Sequence, residues 1–423
     1  MTTGVSMKRF AYLIAAVAAT LLLNGCLGGA FDLGSSAPAP TDVRAVAGDS
    51  SVTLTWTGSP NVEYWVFAAP GSNVTTANWD SMGGSAFPKV TSPHVVSGLT
   101  NGTTYSFTIN GRIDGGPGGP GSTTISAVPR LAGASWNVDS ALGSSSLNGA
   151  TFGAIFVAVG NDGVLYSSPD FNSYTPATWT ALTNPTSSPR ANLYATIYGG
   201  VYLAAGAGGA MLRSTDAITW TQHDANSSGN DLYGLATNGI GGYVAVGQNG
   251  AIVTSVDGQS WTRQTSGTSN DLHAVAFGNG VWVAVGKSGI VLTSSNGSTW
   301  TAIASNTSRN LKSVAYGIAV NTATSTTSPV FIAVGAAGTQ VTSTDYGATW
   351  TAGVINNGVN NLNAVSYGRQ FIVAGSNGAL FTSTDGANWT AQAAGTSNDL
   401  NAIAHSTTNI SVVGASGTNL SAL

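Results

Sequence analysis

A chain that hydrolyses glycosidic bonds needs two carboxylates flanking the bond, or a tyrosine activated by a glutamate. This sequence has one glutamate, Glu63, and it precedes the repeated region that fills most of the chain. The aspartates of that region recur in two places. Asp216, Asp257, Asp345 and Asp385 each follow a serine by two residues and precede a tryptophan, while Asp231, Asp271 and Asp399 each stand just before a leucine. Residues repeated at fixed positions read as structural, which leaves Asp139, Asp162, Asp170 and Asp224. The histidines, His94, His223, His273 and His405, have no partner at metal-ligand spacing, and Cys26 is the only cysteine. Glycine pairs such as Gly247-Gln248-Asn249-Gly250 fall between strands, with no following helix to hold a phosphate. The expectation is a chain without catalytic residues, metal or cofactor.

The elements that carry these residues repeat. The clearest copy starts at Asn270-Asp271-Leu272, continues through Val283-Ala284-Val285-Gly286 and Val291-Leu292-Thr293-Ser294, and closes on Thr299-Trp300-Thr301. The closing glycine recurs at Gly160, Gly206, Gly247, Gly286, Gly335, Gly375 and Gly414, and the tryptophan at Trp179, Trp220, Trp261, Trp300, Trp350 and Trp389. A period of about 40 residues with four short strands per unit is the pattern of a β-propeller, in which each sheet must stack on its neighbours. The last unit stops before its tryptophan, and the missing segment stands at the other end of the region as Ala134-Ser135-Trp136-Asn137-Val138. Residues 134–423 are therefore expected to form a seven-bladed propeller closed by pairing of its two ends, which removes exposed strand edges. Trp282 replaces the Tyr or Phe of its siblings and reads as core.

The turn before each tryptophan resembles the Asp-box, or bacterial neuraminidase repeat. Ser343-Thr344-Asp345-Tyr346-Gly347-Ala348-Thr349-Trp350 matches in full; Ser214 to Trp220, Ser255 to Trp261 and Ser383 to Trp389 are one residue shorter; Asn296 replaces the aspartate between Ser294 and Trp300. The resemblance implies a structural box, its carboxylate accepting backbone N–H bonds and its tryptophan packed between sheets. In the sialidases that carry such boxes they lie opposite the active site. The sialidase arginine triad has no match, since Arg190, Arg213, Arg263, Arg309 and Arg369 occupy unrelated repeat positions, and a glycosidase is the least favoured reading. The Val-Gly-x-x-Gly and Ser-x-Asp-Gly-x-x-Trp runs also resemble photosystem II assembly factors. That resemblance implies a non-enzymatic docking platform, although the Arg-rich patch of that family is not evident.

Charged residues make up only 7% of the chain and the net charge is -4, with no basic patch for nucleic acid. Lys8-Arg9 followed by the apolar run Phe10 to Leu23 reads as a signal peptide, residues 1–25. Leu23-Asn24-Gly25-Cys26 resembles the bacterial lipoprotein box, which implies acylation of Cys26 and a membrane anchor; Leu27 after it favours the outer membrane. Residues 26–38 read as a flexible tether. Residues 39–130 alternate like a β-sandwich. Pro40, Val43, Trp56, Tyr64, Leu99, Tyr105, Gly118 and Pro120 resemble the pattern of a fibronectin type III domain, Leu99 and Tyr105 matching its tyrosine corner. The fold class expected is all-β, a sandwich followed by the propeller.

Ligand contacts are expected on the propeller rim opposite the boxes. There the residue after each repeated leucine varies: Asn148, Tyr194, Tyr233, His273, Lys312, Asn363 and Asn401. Gln248, Asn249, Lys287 and Arg309 fall on the same rim. The sector holding Tyr194, Tyr233, His273, Lys312 and Arg309 is the expected contact, because aromatic and arginine side chains dominate binding energy. The partner expected is another envelope protein, or alternatively a surface glycan, bound by a monomer.

Overall fold

The computed structural model describes residues 34–422, apart from 171–176, 187–189, 322–323, 325 and 407–408. The signal peptide and Cys26 lie outside the described residues. Among the described residues there is no α-helix, only single 3-10 turns between strands, and no helix long and apolar enough to cross a membrane.

The first unit packs a five-stranded sheet on a three-stranded one. Alternation in Ser51–Thr57, Glu63–Pro70 and Tyr105–Ile113 sends Val52, Leu54, Trp56, Tyr64, Val66, Phe107 and Ile109 into one core. Glu63 is held by Lys89 at 2.8 Å. One boundary differs from expectation. The stretch read as a tether ends in a strand, Ser35–Ala37, paired with Arg112 and its neighbours in Tyr105–Ile113. Three small residues show no alternation in sequence; backbone pairing and the burial of Ala37 hold them.

Beyond the sandwich the described residues form seven four-stranded antiparallel sheets, numbered one to seven here in chain order. In sheet four the strands are Leu272–Gly278, Val281–Gly286, Val291–Ser294 and Thr301–Ile303. The second strand is an unbroken apolar run because both its faces are covered. Trp282 and Ala284 pack on Ala236 and Val244 of sheet three, while Val283 and Val285 pack on Phe331 and Ala333 of sheet five. The same division joins every neighbouring pair, and Leu147 and Ala158 of sheet one pack with Val413 of sheet seven. Sheet seven takes its fourth strand from Asn137–Val138, with Val138 opposite Leu420 and Asn137 opposite Ser421.

The recurrent glycine has a steric cause. At Gly286 a Cβ would fall 2.0 Å from the Asp271 carbonyl oxygen, and at Gly247 1.8 Å from that of Asp231. The sandwich and the linker after it meet the strand-one-to-strand-two turn of sheet six. Asp49 Oδ1 accepts from Arg369 Nη1 at 3.0 Å and Asn101 Nδ2 at 2.9 Å, and Gln370 Nε2 donates to the Ala132 carbonyl at 2.7 Å.

Candidate functional site

Every first strand of the seven sheets carries the same irregularity. Its leucine pairs with the recurrent glycine, the next residue has no partner, and pairing resumes one residue later, as in Leu193↔Gly206 followed by Ala195↔Ala205. The shift recurs after Leu147, Leu232, Leu272, Leu311, Leu362 and Leu400. A bulge of this kind re-aims a side chain. The residues it re-aims are Asn148, Tyr194, Tyr233, His273, Lys312, Asn363 and Asn401, and together they line one central cavity of about 240 Å³.

Four of the seven are tied down. Asn148 Nδ2 donates to the Leu193 carbonyl at 2.9 Å, His273 Nδ1 to that of Leu311 at 2.7 Å, Asn363 Nδ2 to that of Leu400 at 3.1 Å, and Asn401 Nδ2 to that of Leu147 at 2.9 Å. Each bond joins one sheet to the next. Tyr194 and Tyr233 instead lie against each other, ring centroids 5.4 Å apart, and Tyr233 lies 6.1 Å from the His273 ring. The three rings form an arc across sheets two to four, and Lys312 follows it on sheet five. Burial, then the Asp231 charge, raises the Tyr194 and Tyr233 pKa values, so both hydroxyls remain donors at neutral pH. Burial lowers the His273 pKa, and Lys312 and Lys287 lower it further against the opposing Leu311 bond and Asp271, which favours a neutral ring. The arc is thus an uncharged aromatic shelf with an exposed ammonium at one end.

The other rim residues are placed differently. Lys287, Arg309 and Asn249 are exposed, Gln248 is half-buried, and none of the four lines the cavity. The aspartates before the leucines are interlocks. Asp231 Oδ1 accepts the Gly208 N–H at 2.8 Å, Asp271 Oδ1 that of Asn249 at 2.8 Å, and Asp399 Oδ1 that of Asn377 at 2.9 Å. Asn192, Asn310 and Asn361 do the same for Asp162, Ser288 and Ala337. The N–H belongs each time to the first of two successive positive-φ residues in the preceding sheet's turn, so a left-handed turn in one sheet is completed by the next.

On the opposite face the boxes act within their own turns. Asp216 Oδ1 accepts from Ile218 N and Thr219 N, both at 2.8 Å, and these backbone bonds, Thr219 first, hold the carboxyl at about 2. Asn296 Oδ1 makes the equivalent bonds to Ser298 N and Thr299 N at 2.8 and 2.9 Å. Trp220 is buried against Val157 and Val159 of the preceding sheet, and Trp350 against Val283 and Val285. The remaining aspartates are scattered: Asp162 accepts from Ser145, Asp170 from Asn409, Asp224 from the Asn226 N–H and Asp139 from Asn419. Among the described residues no group of three His, Cys, Asp or Glu side chains could hold a metal ion. What converges at the cavity is a set of aromatic faces, hydroxyls, amides and one ammonium.

A family model described as the DUF6242 beta propeller domain matches residues 146–272. Solved structures extend that likeness over more of the chain. YCF48 bound to D1 peptide is 17% identical with a TM-score of 0.54, covering 68% of this chain and 94% of that one. The repeat region is a β-propeller. YCF48 from Cyanidioschyzon merolae gives 19% identity and a TM-score of 0.52 over 68% of this chain and 98% of that one. Virginiamycin B lyase from Staphylococcus aureus, a selenomethionine-substituted structure, gives 12% identity and 0.55 over 68% and 99%. No curated protein matches the chain. The neighbours of this propeller thus include a peptide-bound protein and a lyase, and fold alone does not choose between such functions.

Proposed function

We propose that this chain is a non-catalytic, lipid-anchored envelope protein whose seven-bladed propeller docks another protein at the mouth of its central cavity. The observation that carries the reading is the arc of Tyr194, Tyr233 and His273, set side by side by three successive bulges. Large, rigid aromatic side chains at a concave centre are the residues that supply binding energy. The likeness to a propeller solved with a peptide bound supports the same class of role. The interlocks and boxes account for most of the propeller carboxylates structurally, which argues against a glycosidase.

In this reading the sandwich is a fibronectin type III spacer; the Thr100 N–H donating to the Tyr105 hydroxyl at 3.2 Å has the geometry of that family's tyrosine corner. Cys26 is acylated and holds the protein to the outer membrane. Two experiments test these statements. Affinity capture from solubilised envelopes, repeated with Tyr194→Ala and Tyr233→Ala, should lose one protein partner by roughly thirtyfold in affinity, the value of a hot spot of about 2 kcal/mol. Equal capture by the variants, or capture of glycan alone, would reject docking at this mouth. Metabolic labelling with a palmitate analogue should label the wild type and not Cys26→Ala; equal labelling would reject the anchor.

A further inference from the structure

A second groove lies on the box face, between sheets three and four. It has a volume of about 410 Å³ and shares no lining residue with the central cavity. Its lining includes Trp282, Asn238, Asn296, Ser260, Ser298 and Val256, and no Asp, Glu, Lys, Arg or His.

Three departures from the repeat meet there. The first is Trp282. Its counterparts Tyr202 and Tyr243 use their hydroxyls on the preceding sheet: Tyr202 accepts from Ala154 N at 2.8 Å and Ile155 N at 3.1 Å, and Tyr243 donates to the Gly199 carbonyl. Trp282 is 4% exposed, and among the described residues its indole N–H has no hydrogen-bond partner. The second is Asn296, where sheets two, three, five and six have aspartate. Its Oδ1 is fixed by Ser298 N and Thr299 N, so Nδ2 stands where those siblings have a second carboxylate oxygen. An acceptor has become a donor. The third is Asn238, whose Oδ1 accepts from Ile240 N at 3.0 Å and Gly242 N at 2.8 Å, so its Nδ2 is the group of this lining side chain not used by its own turn. Beside these donors Val256 is 84% exposed and gives the rim an apolar edge.

We propose that this groove binds a neutral sugar of a glycan chain. Three N–H donors and several hydroxyls, with no cation to offset a negative charge, suit an uncharged ligand rich in oxygen acceptors. A pyranose offers such acceptors around its edge and C–H groups for Val256, and the groove falls within the usual size of ligand sites. The proposal is independent of the rim reading, because the two sites lie on opposite faces.

The test uses the full chain, titrated calorimetrically with chitotriose and maltotriose as probes. At least one should bind and should shift the indole N–H resonance that disappears in Trp282→Phe. Binding of chitotriose alone would identify an acetamido carbonyl as the acceptor; binding of both would assign the ring hydroxyls. Asn296→Asp and Trp282→Phe install residues that sibling sheets already carry at these positions, so both should stay folded; Asn296→Asp should keep the melting temperature, while Trp282→Phe, which trims a buried ring, should lower it by a few degrees. At least one should weaken binding by roughly tenfold, the usual effect of losing one hydrogen bond. Tyr233→Ala should leave sugar binding unchanged. The proposal fails if neither sugar binds at millimolar concentration, if affinity survives both groove substitutions, or if Tyr233→Ala alone abolishes it.

Discussion

Asp345→Ala and Asp345→Asn should separate charge from geometry in the box. Asp345 Oδ1 accepts from Thr349 N at 2.9 Å and Ser343 Oγ at 2.8 Å, and Oδ2 accepts from Thr349 Oγ1 at 2.6 Å. Alanine removes both acceptor oxygens, and with them three bonds, from a turn that also positions Trp350, whose ring is buried against sheet four. The turn is open to water, which takes over part of each bond, so the expected loss is about 1–2 kcal/mol rather than the sum of three. In a protein of this size that is a fall in Tm of roughly 2–8 °C. Asparagine keeps the oxygen that bonds the backbone, and Asn296 shows that the turn closes around an amide. Its cost should be under about 1 kcal/mol. The carboxyl is held at about 2, chiefly by the Thr349 hydroxyl and then its N–H, below its ordinary 3.8. A depressed folded value means the carboxylate stabilises fully above about pH 4, and this contribution is lost as pH falls towards 2. The gap between wild type and Asp345→Ala, read by thermal unfolding, should therefore narrow from pH 5 to pH 2.5. Equal losses in the alanine and asparagine variants would refute the geometric argument, and a gap that widened in acid would refute the assignment of the carboxylate.

Other expectations follow from the same contacts. Arg369→Ala leaves the Asp49 carboxylate, 2% exposed, without its cation, and should lower stability by about 1–2 kcal/mol after allowance for the half-exposed guanidinium. The linker 128–133 should then be cleaved faster in limited proteolysis; unchanged cleavage would show that Gln370 and Ala132 hold the units alone. A chain starting at Leu147 lacks Trp136, the strand Asn137–Val138 and Leu142, and should melt well below one starting at Leu131. Equal melting would show that this strand does not stabilise sheet seven.

The propeller sheets were legible because steric demands force particular residues. A Cβ clash at one place and a box turn at another put Gly and Trp at fixed intervals. The candidate site was legible only as variation. Tyr194, Tyr233 and His273 could be placed on one rim sector, but a bulge is a shift of pairing with no residue signature, so their turn into the central cavity could not be read. Asp231 and Asp271 read as structural from their fixed positions, but what they hold was hidden, because the bond crosses sheets to an N–H some 22 or 23 residues earlier. The contact of Arg369 with Asp49 spans 320 residues and has no local trace. Ser35–Ala37 was hidden because a three-residue edge strand rests on its backbone.

The way the sandwich is fastened sets how the molecule carries mechanical load. Ser35 pairs with Ile113 at the end of that strand remote from Tyr105, whereas the turn at Asp49 and the linker meet the sheets. Tension applied at the amino-terminal end therefore crosses the length of the sandwich and enters the sheets at Arg369 and Gln370. These side chains, with Ala132 and Trp136 packed below, stand in series before the two-residue strand Asn137–Val138. That strand is as short as Thr180–Ala181 and Thr390–Ala391, and it alone of the three lies on the path of the load, so it is the first that would peel. The early contacts act as a strain relief, and a pull strong enough to part them would unzip sheet seven from its outer edge, leaving the cavity mouth on the far face until last.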